Sequence, residues 1–341
     1  MNKKNLWSIT IVLAISVAIL YIDLKATPFK QIIHAASSMN WSFFGLIFVM
    51  MLLSYTCEAL ILSVLAKRKG EPKRGFWSFF RIPIIQTLFN AITPMSTGGQ
   101  PAQLTAMIQM GIEGGRATSL LLMKFIVYQI CVFLAYVSTI ATGFHLVKTK
   151  FSTLAIFIVI GLLIHVVSTL FLLAIMFAYN FTKSATIFLM KILRKIFPAE
   201  KVDKWQENAI SKIDTFYGES RKLKNEKQKL LKVTFLTILQ LLLFYSIPYV
   251  VLLALNVHAS WLEVTQMNIM ITMIMAIVPI PGASGGAEYS FQTLFSTFIS
   301  SSGTLVLGMF LWRLATYFFG IILGIFGWSI KPKKISSSKI N

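Results

Sequence analysis

The sequence predicts an all-α, polytopic transmembrane helical bundle of about six full spans plus two re-entrant broken hairpins, arranged as an inverted-topology repeat. Three observations predict it: an apolar composition, a series of apolar runs long enough to cross a bilayer, and a glycine-proline motif that recurs 187 positions later together with its flanking segments.

Hydrophobic residues make up 56% of the 341-residue chain, charged residues only 13%, and the mean hydropathy is +0.73. A water-soluble domain of this size needs more polar surface, so the solvent that fits is the bilayer. The net charge of +20 would suit nucleic acid, but the Lys and Arg residues sit in short segments between apolar runs. That is the asymmetry that orients membrane helices, and no nucleic-acid partner is expected. Cys57 and Cys131 fall in apolar runs without CxxC spacing and read as packing residues.

The runs 6–22, 41–66, 118–145, 152–180, 233–256 and 304–330 each read as one crossing. The first follows Lys3 and Lys4 as a signal peptide would, but no small-residue cleavage site comes after it, so it is kept as a span. Residues 79–112 and 262–300 are also apolar, yet TPMSTGGQP and VPIPGASGG break them near their middles.

Basic residues set the expected orientation. Lys67, Arg68, Lys69, Lys73 and Arg74 crowd one connection, and Lys331, Lys333 and Lys334 crowd the tail. Segment 181–232 holds thirteen Lys or Arg against six acids. These belong in the cytoplasm, with both termini, at a bacterial inner membrane. The expected organisation is an N-terminal span and outer loop (1–40), a first membrane half (41–180), the basic cytoplasmic segment (181–232), a second half (233–330) and a basic tail (331–341). For the chain to return to the right side each time, hairpin 79–112 must begin and end inside, and hairpin 262–300 must begin and end outside.

PMSTGG at Pro94–Gly99 and PGASGG at Pro281–Gly286 share P-x-[SA]-[TS]-G-G, and the same offset lays 41–66 on 228–253 and 118–145 on 305–332. A helix, a broken hairpin and a helix thus occur twice in opposite orientation.

Irregular backbone at membrane depth is tolerated only where protein buries it or water reaches it, so the two motifs are expected to line one site. A helix restarts after each Gly-Gly, and its free N–H groups favour an anion such as a lipid phosphate. Ser96, Thr97 and Ser284 add donors, or act simply as helix caps. Charges inside apolar runs are costly and select Glu58, Lys124, Glu288 and Arg313. Arg313, deep in the last span, is the leading phosphate ligand or acid partner. Lys124 reads equally as a snorkelling residue. Glu288 reads equally as a cap, and Glu58 as a partner of Arg81 or Lys124. His165, alone in its span, reads as a cross-helix hydrogen bonder. No ligand spacing suggests a metal, and no P-loop or triad suggests a cofactor or nucleotide. Val202, Trp205, Ala209, Ile213 and Phe216 mark an amphipathic helix that suits the anionic leaflet or a cytoplasmic partner such as a synthase.

TPMSTGGQPAQ and PIPGASGGAEYSF, with the basic segment between them, resemble the flippase-like membrane domain of the phosphatidylglycerol lysyltransferase, or lysylphosphatidylglycerol synthase, family. The resemblance implies movement of lysyl-phosphatidylglycerol between leaflets. It places Pro94, Ser96, Gly98, Gly99, Gln100, Pro281, Gly285, Gly286 and Glu288 at a lipid-facing site. The family's lysyl-tRNA-dependent synthase domain is soluble and C-terminal, and no such domain is expected in a chain whose sequence stops at Asn341. Three functions follow: a phospholipid translocase or lipid-binding transporter, a lysyltransferase-type enzyme of the kind linked to cationic-peptide resistance, and a non-transporting scaffold.

Overall fold

A computed structural model describes residues 29–68 and 74–330 as helices joined by short turns, with no strand among them. The expected span at 6–22 and the tail at 331–341 lie outside the described residues. Among the described residues, five helical segments are long and apolar enough to cross a membrane: Trp41–Ala66, Gly114–Gly143, Ser152–Phe171, Lys227–Ala254 and Ser302–Ser329. They coincide with the five remaining apolar runs.

A short helix α1 (Phe29–Ser37) leads into α2 (Trp41–Ala66), whose N-cap Asn40 accepts from the Ser42 amide. The first hairpin is α3 (Phe76–Ile92), a 3-10 turn at Pro94–Ser96 and α4 (Gly99–Gln109). The long α5 (Gly114–Lys150) and α6 (Ser152–Phe177) complete the first half. Helices α7 (Tyr179–Leu193) and α8 (Ala199–Asn225) form the basic segment. In the second half α9 (Lys227–Tyr245) and α10 (Ile247–Ala254) make one crossing, broken where Pro248 cannot donate to the helix ladder. The second hairpin is α11 (Trp261–Met275), a 3-10 turn at Pro281–Ala283 and α12 (Gly286–Phe295). The last crossing is α13 (Ser302–Arg313), a five-residue π turn at Leu314–Phe318 and α14 (Phe319–Ser329).

The repeat is visible in the backbone. In each hairpin the residue before proline is extended, Thr93 and Ile280, as the proline ring requires. Two left-handed residues follow at equivalent positions: Met95 (φ 51°) and Ser96 (φ 56°) match Gly282 (φ 64°) and Ala283 (φ 52°). Three of these four are not glycine. Backbone in this region is uncommon for side-chain-bearing residues and persists only where its surroundings hold it.

Opposite direction is equally visible. The Asn40 amide donates to Ala254 O (2.8 Å) and Lys229 Nζ to Lys67 O (3.0 Å), so α2 runs antiparallel to α9–α10. At the end holding Lys67, Arg116 Nη2 reaches Ala66 O (2.7 Å), and Arg81 bridges Gly327 O and Gln109. This basic end thus gathers the start of α3, the end of α4, the start of α5 and the end of α14. At the far end Asn256 donates to Ser38 O, Ser302 donates to Gln31, and Gly308 lies between Leu255 and Ile299. Hairpin one therefore starts and finishes at the basic end and hairpin two at the far end. α3, at 17 residues, is about 25 Å long. That carries its tip past the middle of a hydrocarbon layer about 30 Å thick.

Small residues let the last span approach the first hairpin. Gly320, Gly324 and Gly327 on α14 face Thr87, Leu88 and Ile84 on α3, and a Cβ at Gly324 would stand 2.6 Å from Ile84 O. This is the small-xxx-small device by which membrane helices pack without a hydrophobic driving force. The amphipathic face of α8 is covered partly by the protein itself. Val202 and Phe216 are buried, and Ser220 hydrogen-bonds Ser119 of α5 (3.0 Å), while Trp205 stays exposed.

Candidate functional site

The two 3-10 turns pack against one another, tip to tip, beside the middle of the last crossing. Three side chains hold them. Arg313 donates through Nε to Glu288 Oε1 (2.7 Å) and through Nη2 to Gly282 O (3.0 Å). Glu288 Oε2 accepts from the Gly285 amide (2.6 Å), so one carboxylate both caps α12 and neutralises the arginine. Tyr317, one turn beyond Arg313, donates to Ala91 O of the first hairpin (3.4 Å). The guanidinium lies 5.4 Å from the Trp312 ring centroid and 5.1 Å from that of Tyr317. The last span thereby grips the second tip with a charge and the first with a phenol.

The two tips differ in access. In the first, Pro94, Met95, Ser96 and Thr97 are exposed, Gly98 and Gln100 are half-buried, and Gly99 is buried against Asn90. It is closed by a neutral bond, the Gly98 amide donating to Thr93 Oγ1 (2.8 Å). In the second, Pro281, Gly285 and Gly286 are half-buried, while Ser284 and Glu288 are buried.

Thr97 and Ser284 donate to the carbonyls of Pro94 (3.0 Å) and Pro281 (3.3 Å), stabilising their own turns. The caps of the following helices fall on Gly98 and Gly285, so the cap reading, one of the two the sequence left open, does not apply to Thr97 or Ser284. Arg313 takes the acid-partner alternative, because its carboxylate partner lies within reach and it is only 2% exposed. It does not stand as an open phosphate ligand.

A second polar cluster lies nearer the basic end. Glu58 of α2 and Lys124 of α5 form a buried ion pair. Gln103 Nε2 (2.9 Å) and Gln240 Nε2 (3.2 Å) donate to the two Glu58 oxygens, and Lys124 also reaches Gln103 Oε1 (3.1 Å) and Gln86 Oε1 (3.4 Å). Gln103 and Gln86 bond to each other as well. Lys124 is 5% exposed and does not snorkel, because its counter-charge sits across the helix interface. Each half thus ties its hairpin to its following helix through a cation: Lys124 holds Gln103, and Arg313 holds Glu288. Sequence reading missed Gln86, Gln103, Gln240, Thr93 and Tyr317. The signals available were the motif TPMSTGGQPAQ, which begins at Thr93 and ends at Gln103, and three glutamines inside apolar helices, where amides seek partners.

Arg81 pairs with neither Glu58 nor any other acid among the described residues. His165 bonds across helices, its Nε2 3.1 Å from Gln129 O, and lies against the Tyr136 ring. An open groove of about 650 Å³ lies elsewhere, on α8, lined by Arg194, Asp203, Glu207 and Asp214. Its acids repel phosphate, and none of its lining residues belongs to either tip, so the tips and not the groove form the candidate site.

The sequence profile of the lysylphosphatidylglycerol synthase TM region matches residues 9–324, nearly the whole chain. The protein belongs to that family. Among curated relatives of this lysylphosphatidylglycerol synthase TM-region protein is a UPF0104 membrane protein of Archaeoglobus fulgidus. The two are 27% identical over 319 residues, covering 91% of this chain and 93% of the relative. Membership places both motifs and the whole basic segment inside the family's membrane region.

Proposed function

We propose that this protein binds a phosphate-bearing membrane lipid and passes its headgroup across the bilayer between the two hairpin tips, the acyl chains staying in the hydrocarbon. The observation that carries the reading is the tip-to-tip meeting of two broken helices that enter from opposite ends. Such a pair offers a headgroup polar backbone at mid-depth from either side, with alternating access by small movements of one repeat against the other. The exposed residues Pro94–Thr97 supply the contact surface, and the sealed Arg313–Glu288–Tyr317 grip supplies the hinge against which it moves. The family's description makes lysyl-phosphatidylglycerol and phosphatidylglycerol the first lipids to test. The basic end, with the exposed apolar side chains Phe181, Phe188 and Ile192 on α7 among lysines, rests on the anionic cytoplasmic leaflet.

Vesicles containing the protein and fluorescent head-labelled phosphatidylglycerol test this by quenching from outside. Faster transbilayer movement than in empty vesicles is expected, reduced in Thr97→Trp, which plugs the open tip, and in Arg313→Ala. Movement at the empty-vesicle rate, or unchanged in both variants, contradicts the reading.

A further inference from the structure

Among the described residues five ionisable side chains are buried within the bundle: the acids Glu58 and Glu288 and the bases Arg81, Lys124 and Arg313. Lys124 has Glu58 and Arg313 has Glu288. Arg81 has no carboxylate among the described residues. Its Nε donates to Gly327 O (2.7 Å) and its Nη2 to Gln109 Oε1 (3.1 Å), both neutral acceptors, and its Nη1 has no hydrogen-bond partner among the described residues. The residue is only 8% exposed. A desolvated guanidinium with one edge unbonded and no counter-charge is expensive to keep, and the fold keeps it between α3, α4 and α14.

We propose that Arg81 is an anion-binding residue at the basic end of the bundle that takes a phosphodiester or phosphate oxygen on its free Nη1 edge. The chemistry favours phosphate because the planar fork offers parallel donors that match two oxygens of one group. Nη1 is itself covered but lies beneath an exposed rim: Gln109 and Ser329 are exposed, and Trp77, one turn before Arg81, is 76% exposed where aromatic rings mark the headgroup level. The site lies at the mouth of hairpin one, some ten residues of α3 before the tip. As a lipid subsite it rests on the proposed function, supplying the position a headgroup occupies before reaching the tips.

The test uses the full chain in neutral detergent, with phosphatidylglycerol, phosphatidylcholine and inorganic phosphate as separate probes and native mass spectrometry as readout. Arg81→Gln is expected to lose at least tenfold in phosphatidylglycerol binding. Gln109→Glu is the sharper variant: it leaves Arg81 in place, gives it a carboxylate, keeps or raises the melting temperature, and should lose the same binding. Competition by millimolar phosphate indicates that the phosphate group is read; binding of phosphate without lipid assigns the site to the free ion. Undiminished binding in folded Gln109→Glu, or no binding of any probe to the wild type, overturns the inference. Because binding is read in detergent, its failure beside intact transbilayer movement sinks this subsite alone, whereas intact Arg81-dependent binding without movement sinks the translocation reading.

Discussion

Arg313 and Glu288 meet through a 2.7 Å bond between guanidinium Nε and carboxylate, 2% and 5% exposed respectively. The pair joins the middle of the last crossing to the first turn of α12. Breaking a buried pair from one side strands the other charge, at a cost of about 3–5 kcal/mol. Glu288→Ala should therefore lower thermal stability in detergent by that order. The double variant Glu288→Gln with Arg313→Met, which removes both charges, should lose less than the two single losses together, by about 1–3 kcal/mol. Strict additivity in scanning fluorimetry contradicts the pairing.

The Glu58 cluster gives a ranked expectation. Lys124→Met leaves a buried carboxylate with only amide donors, while Gln240→Leu removes one donor of several. The first should cost about 3–5 kcal/mol and the second about 1–3 kcal/mol. Adding Glu58→Gln to Lys124→Met should restore part of the loss. Thermal unfolding in detergent reads the order, and a Gln240→Leu loss exceeding that of Lys124→Met reverses it.

Gly282 is held at φ 64° with its α-carbon facing the Tyr317 ring, so an added methyl meets both backbone strain and an aromatic edge. The left-handed conformation alone costs a non-glycine residue about 1–2 kcal/mol. Gly282→Ala should destabilise by more than that, and Tyr317→Ala in the same chain should relieve the overlap while leaving the backbone term. A melting temperature equal to wild type contradicts the tip geometry.

The fold was legible because its causes are local. Apolar length marks each crossing, and a proline followed by left-handed backbone breaks each hairpin wherever it falls. Both signals survive in a single sequence, and the 187-residue offset carried them from one half to the other. The wiring of the site was less legible. Glu58 faces Lys124 and not Arg81, because α2 crosses α5 where these residues stand, and that register depends on packing between distant segments. Gln86, Gln103 and Gln240 carry no spacing signal, since one glutamine comes from each of three helices. The apolar face of α8 read as a surface for a leaflet or a partner, yet Val202 and Phe216 are covered within the chain. Amphipathicity states that a face needs cover, not what supplies it.

Gly324 tests the close approach of the last span to hairpin one. A side chain there would meet Leu88 Cα, 3.3 Å from the added Cβ, and the Ile84 carbonyl, both backbone atoms that cannot rotate away. Gly324→Leu should separate α14 from α3 and cost about 1–3 kcal/mol or more from overpacking. Gly45, whose surroundings are open, is the control: Gly45→Leu should change the melting temperature little. Equal effects at the two glycines contradict the packing.

The arrangement of the two hairpins is tested most directly by cysteine labelling from each side of sealed membranes, in a chain with Cys57 and Cys131 replaced. Single cysteines at Gly75 and Gly114 bracket hairpin one, and cysteines at Ser260 and Ser300 bracket hairpin two. The account predicts that the first pair labels from one side and the second pair from the opposite side. Positions 75 and 114 labelling from different sides would make hairpin one a crossing and contradict the inverted, tip-to-tip site.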